Sequence, residues 1–228
     1  MYTDILFDMD DTLLDFQKAQ LYRFMDVMAY YDIQYTHKIY KEYTDINHKL
    51  WTDFEQGKAE KDIIQIERFS LLFNSLNNRA DGKEANKIYQ QSLSKQVWLI
   101  PYADEVCAKL SEMCTLAIIT NGVGMTQRQR ISSSAISPYF KNIIISEDIG
   151  VAKPHKEFFD YVFASLAFSN TESILLVGDS LSSDIRGANN VNIDACWFNP
   201  QLKPLPFDYI AKYNIFDLRQ LFNIVSVG

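Results

Sequence analysis

Four short apolar runs constrain this chain more than anything else in it: TLAIIT at 115–120, NIIIS at 142–146, SILLV at 173–177 and IDACWF at 193–198. Each has the length of a strand and little polar alternation, the pattern of a strand buried on both faces. Segments with helical periodicity stand between and around them, at 102–113, 125–134, 156–167 and 182–190. A fifth apolar run, 3–8, opens the chain, and a weaker strand and a last helix close it. Alternating strand and helix with buried strands predicts a parallel sheet covered by helices on both faces.

Residues 16–95 break that rhythm and read as helices alone. Phe16, Leu21, Phe24, Val27, Met28 and Tyr31 recur at helical spacing. A second segment, Ile39 to Phe54, opens at Thr36 as N-cap and closes at Gly57. Ile63, Ile64, Ile66, Phe69, Leu72 and Phe73 mark a third, and Asp81-Gly-Lys-Glu84, a capping-box variant, opens a fourth. Amphipathic helices joined by short connections predict a small bundle. The fold class is therefore α/β: a Rossmann-like core of residues 1–15 and 96–228, interrupted after its first strand by a helical bundle of residues 16–95.

With 228 residues, 47% of them hydrophobic, the chain can bury a substantial core. Its net charge of -7 argues against a nucleic-acid polymer, which needs a basic face. A small phosphorylated ligand remains compatible, because a metal or a few local cations can invert the field in one cleft. Cys107, Cys114 and Cys196 are scattered and odd in number, which predicts reduced buried thiols rather than disulfides or a zinc site. Asp4, Asp8 and Asp10 interrupt the apolar start, so no signal peptide is expected, and no apolar run approaches membrane-spanning length. The expectation is a cytoplasmic protein.

Open α/β sheets bind ligands beyond the carboxyl ends of their strands, so the residues there are the candidates for a site. Asp8 and Asp10 follow the first strand at i and i+2, on one side if extended geometry persists. Two such carboxylates repel unless a proton or cation intervenes, and a hard divalent ion, most simply Mg²⁺, resolves this. Asp15 reads as an N-cap and Asp11 as a loop residue. Thr120, Asn121 and Gly122 supply a hydroxyl and main-chain amides for an anion, helped by the following helix dipole, although T-N-G is also an ordinary turn. Pro154 biases Lys153 toward an extended conformation and fixes the direction of one cation. Gly178 allows a tight exit before Asp179, with Asp184 in the turn that follows and Ser180, Ser182 and Ser183 available as caps. An acid pair, an anion cradle, a fixed lysine and further acid at successive strand ends form a constellation for phosphoryl transfer with a metal.

D-x-D-x-T at Asp8–Thr12, T-N-G ending at Gly122, Lys153 in A-K-P and G-D-S-x4-D at Gly178–Asp184 resemble the four motifs of the haloacid dehalogenase-like hydrolase superfamily. The bundle after the first motif resembles its α-helical cap. LLDFQ, NHKLWTDFEQGK, ERF, SEDIGVAKP, GDSLSSDIRGA and CWFNP resemble the bacterial 5′-nucleotidase branch, which acts on pyrimidine and non-standard nucleoside monophosphates. The resemblance implies Asp8 as nucleophile and Asp10 as the proton-transfer group. It implies Mg²⁺ on Asp8, the Asp10 carbonyl and Asp179, and phosphate held by Thr120, the amides near Asn121 and Gly122, and Lys153. Thr12 would orient Asp10, and Asp184 would orient the metal site or Lys153. Asp10 also favours a phosphatase or phosphomutase over a dehalogenase. Asn47, the turn at Gly57 and Lys58, and Arg68 are candidate cap contacts to substrate. The competing expectations are a sugar-phosphate phosphatase or mutase of the same fold, and a non-catalytic ligand-binding module.

Overall fold

The computed structural model describes residues 1–93, 97–168 and 170–226. Two compact units divide the chain: Met1–Phe16 with Val97–Gly228, and Gln17–Gln96.

The first unit is built on six strands: β1 (Asp4–Phe7), β2 (Thr115–Thr120), β3 (Asn142–Ile145), β4 (Ile174–Gly178), β5 (Asp194–Phe198) and β6 (Tyr213–Ile215). All neighbours pair in parallel, in the order β3-β2-β1-β4-β5-β6. The order reverses between β1 and β4, which places the ends of these two strands at the switch point where such sheets bind ligands. Successive residues feed opposite faces. Ile5, Phe7, Ile118, Val177 and Phe198 enter one core with Val106 and Leu110, whereas Leu6, Ile119, Leu176 and Trp197 enter the other with Phe158, Phe159 and Val162. That two-sided burial is why the strands read as continuous apolar runs.

The second unit holds most of α1 (Phe16–Tyr30), with α2 (His37–Glu55), α3 (Lys61–Ser75) and α4 (Gly82–Leu93). The Thr36 side chain accepts from the Ile39 amide at 3.2 Å, the expected N-cap. Gly57, at φ +68°, ends α2. Its amide donates to Phe54 and that of Lys58 to Asp53, both at 2.8 Å, so the last carbonyls of the helix are satisfied. Inside, Phe24, Tyr43, Phe69 and Tyr89 form an aromatic core, with Phe24 and Tyr43 centroids 4.8 Å apart.

In the first unit the strands alternate with α5 (Ala103–Leu110), α6 (Gly124–Ser132), the short α7 (Ser146–Ile149), α8 (Lys156–Leu166), α9 (Arg186–Asn190) and α10 (Leu221–Ser226). The expected helix 182–190 begins instead as a π-helical turn, Leu181–Ile185, before α9. All three cysteines are buried and unbridged. Among the described residues, no helix is long and apolar enough to cross a membrane.

Candidate active site

Four strand ends of the first unit converge on Lys153, which follows β3. Its Nζ donates to Asp8 Oδ1 at 2.6 Å, to Asp184 Oδ1 at 2.7 Å and to the Ile119 carbonyl at 2.9 Å. All three ammonium protons are thus used, and the side chain is 1% exposed. Asn121 fixes the backbone behind it: its side-chain amide donates to the Lys153 carbonyl and accepts from the Lys153 N–H, each at 2.9 Å. The Asn121 side chain is therefore spent on placing the lysine.

Asp8, just past β1, is anchored from both sides. Its own amide donates to the Val177 carbonyl of β4 at 2.9 Å, and its carboxylate meets Lys153. Asp179 follows β4, and Trp197 Nε1 of β5 holds its carbonyl at 2.9 Å. Asp184 lies in the π-helical turn, where its Oδ2 accepts from the Ser180 amide at 3.1 Å. Ser180 also caps that turn, accepting from the Ser183 amide, as the serine-rich stretch suggested.

Oxygens of Asp8, Asp179 and Asp184 lie within 4.8 Å of one another. Burial, followed by the charge of Asp184 and of Asp10, pushes Asp8 up to about 8 against the opposing pull of Lys153. Burial, then Asp8, Asp184 and Asp11, raises Asp179 well above the carboxylate range, with slight relief from Thr12. Burial alone would lower Lys153, but Asp184 and Asp8 outweigh it and the ammonium is held charged. Were all three carboxylates ionised, one ammonium would leave two negative charges over, and the raised Asp8 and Asp179 record that excess. An oxygen-only cluster with that excess fits a hard divalent cation.

The Asp10 side chain stands apart from this cluster. Its Oδ1 pairs with Arg130 Nη1 and its Oδ2 accepts from Gln127 Nε2 at 2.7 Å. Thr12 does not orient it, contrary to expectation. Asp11 takes a left-handed conformation, φ 57°, and the fully buried Thr12 hydroxyl donates to Asp179 Oδ1 at 3.2 Å. The turn thus ties β1 to β4 instead of bracing its own aspartate.

Thr120, at the end of β2, accepts from Gln127 Nε2 at 2.9 Å and from the Gly122 amide at 3.1 Å. With both acceptor positions filled, its hydroxyl proton is what it has left to offer. At the start of α6 the Gly124 amide is already engaged, donating to Glu147.

Gln127 and Arg130 belong to none of the motifs singled out in the sequence. Their signal was there: 124–132 reads GMTQRQRIS, too polar for a helix covering a buried sheet. In the helical unit, the candidate contacts Asn47 and Arg68 are engaged with each other. Both are buried, and Arg68 donates to Asn86 at 2.5 Å and to Asn47 at 3.5 Å, with its guanidinium 4.2 Å over the Tyr89 ring. Gly57 and Lys58 are exposed on their turn.

This strand order and these strand-end acids define an α/β protein with a site of the phosphoryl-transfer type. Residues 5–198 match the model of the haloacid dehalogenase-like hydrolase family, and the chain belongs to that family. The chain is 38% identical to the HAD-hydrolase YfnB of Bacillus subtilis over 99% of this chain and 96% of YfnB. The structure of YfnB bound to magnesium superposes with a TM-score of 0.94 over 98% of each chain. The pyrimidine 5′-nucleotidase PynA of Streptococcus pneumoniae is 35% identical over 87% of this chain and 84% of its own. The pyrimidine 5′-nucleotidase YjjG of Escherichia coli is 29% identical over 95% of both. Glyceraldehyde 3-phosphate phosphatases are among the further relatives.

Proposed function

We propose that this protein is a Mg²⁺-dependent phosphatase of small phosphomonoesters, most suitably nucleoside 5′-monophosphates. The observation that carries the reading is the buried Asp8 carboxylate, held by Lys153 at the switch point with Asp179 beside it. Residues 1–15 and 96–228 would be the catalytic core and 16–95 the cap that selects substrate.

In this mechanism an Asp8 carboxylate oxygen attacks phosphorus while the ester P–O bond breaks, giving an aspartyl-phosphate. Asp10 gives its proton to the departing alkoxide. It then takes a proton from the water that attacks the phosphorus of the intermediate, releasing inorganic phosphate and regenerating Asp8. Thr120 and the amide near Asn121 hold phosphoryl oxygens, Lys153 supplies positive charge beside them, and the Gly122 amide, expected to join them, braces Thr120 instead. A divalent cation on Asp8, the Asp10 carbonyl and Asp179 would offset the repulsion between carboxylate and phosphate dianion. Asp184, bound to Lys153 and to the Ser180 amide, acts through them. In the helical unit, Asn47 and Arg68 serve its interior, so polar contact to substrate falls to the turn at Gly57 and Lys58. The nucleotide preference is supported by the relatives PynA and YjjG and by the sequence likeness in that turn.

The test is phosphate release across nucleoside monophosphates and sugar phosphates, with Mg²⁺ and with EDTA. Nucleotides should lead, EDTA should abolish turnover and Asp8→Asn should be inactive. Release from no phosphomonoester would return the protein to a binding role. A preference for sugar phosphates would keep the chemistry and overturn the substrate.

A further inference from the structure

The carboxylate of Asp10 is gripped by two side chains from one face of α6, and the same grip reaches the phosphoryl anchor. Gln127 Nε2 lies 2.7 Å from Asp10 Oδ2 and 2.9 Å from Thr120 Oγ1. Arg130 Nη1 donates to Asp10 Oδ1 and to Gln127 Oε1, the latter at 2.9 Å. Residues three apart on a helix share a face, which lets both arrive together.

Core packing does not account for the pair. Gln127 is 2% and Arg130 1% exposed, both costly to bury. Arg130 keeps Nε buried without an acceptor, a cost that its Nη1 contacts to Asp10 and Gln127 offset. The chain also clears space for the amide. A Cβ on Gly122 would fall 2.2 Å from Gln127 Nε2, so the glycine of T-N-G admits this side chain.

We propose that Gln127 and Arg130 are positioning residues that set the proton-transfer group Asp10 in register with the phosphoryl anchor Thr120. The proposal rests on the reading of Asp10 given above. One amide bridges both residues, so the distance from proton donor to phosphorus is fixed by Gln127, and Arg130 fixes the rotation of the Asp10 carboxylate plane.

The leaving group separates this role from a structural one. p-Nitrophenolate departs without a proton, whereas a nucleoside alkoxide needs one. Hydrolysis of the aspartyl-phosphate needs Asp10 in both cases. With Mg²⁺ present, Gln127→Met should therefore keep a rapid burst of p-nitrophenolate while steady turnover falls on the order of tenfold or more. On a nucleoside monophosphate both the burst and the turnover should fall. Arg130→Lys, which retains one donor, should recover part of what Arg130→Gln loses. Gln127→Asn, one methylene short, repeats the test if the methionine variant does not fold. Variants that melt earlier but turn over both substrates like wild type, with an unchanged burst pattern, would overturn the proposal. Asp10→Asn separates the two levels. If it retains turnover, the reading of Asp10 itself fails. If it is inactive while Gln127→Met is normal, only the positioning role fails.

Discussion

Asp8→Asn should make the metal-free protein more stable while destroying its activity. Asp8 rises from 3.8 to about 8 on folding, chiefly because it is buried beside other acids. A carboxyl whose folded value lies above its unfolded one binds its proton more tightly when folded. Stability is therefore complete below about pH 4 and is lost as the pH climbs toward 8. At pH 7 roughly three pH units separate solution from the unfolded value, a penalty of about 4 kcal/mol. Asparagine removes it, still offers the Lys153 ammonium an acceptor, and forfeits about 1 kcal/mol because an amide oxygen accepts from a charged donor less strongly than a carboxyl group that can ionise. The net gain is about 2–3 kcal/mol, or roughly 5–10 °C in melting temperature for a chain of this size. Melting of both proteins in EDTA at pH 8 and pH 5 reads it directly. The gap should open at pH 8 and close at pH 5, where the penalty falls to about 1–2 kcal/mol. Saturating Mg²⁺ should narrow it by stabilising the wild type. Equal melting at pH 8, or a gap that ignores pH, would refute the account of an overcharged site.

Gly178→Ala places a Cβ 2.3 Å from Asp184 Oδ2, so the Asp184–Lys153 pair must shift. Urea denaturation should show a loss of about 1–3 kcal/mol, and an unchanged midpoint would show that the strand exit has slack. Gly57→Ala meets no atom within 4 Å but forces φ +68° on a residue with a side chain. It should cost about 1–2 kcal/mol, read by denaturant titration, and a neutral result would mean the end of α2 relaxes.

The sheet was legible because burial on both faces leaves an unmistakable mark on a strand. Asp8, Thr120, Lys153 and Asp179 were legible because topology brings strand ends together wherever the intervening chain goes. What stayed hidden depends on side-chain direction. The sequence D-D-T gives no sign that Asp11 turns left-handed and sends Thr12 to Asp179. Arg68 and Asn47 carry polarity that normally means exposure. The aromatic ring of Tyr89 and the side chains of Asn86 and Asn47 show what an arginine can pair with inside a helical bundle. The helix expected at 182–190 could not reveal its opening π turn, because the bond from the Ile185 amide to the Ser180 carbonyl that widens it leaves no mark in the spacing of apolar residues.

The glycines of two motifs connect these observations. Gly122 and Gly178 both leave strands that point at the site, and the obvious inference from either is room for phosphate. In each case the room is taken by protein: Gln127 behind Gly122, Asp184 behind Gly178. Both occupants come from the helical turn that follows their own strand, and both hold a residue that carries the proposed chemistry, Asp10 in one case and Lys153 in the other. The missing Cβ atoms thus record a supporting layer built from the chain just downstream. A glycine at a strand exit in such a sheet directs attention to the buried polar residue five or six positions later, which is where Gln127 and Asp184 stand. By that rule the polar stretch of α6 stops being an anomaly, because its burial is the counterpart of a glycine already visible in T-N-G.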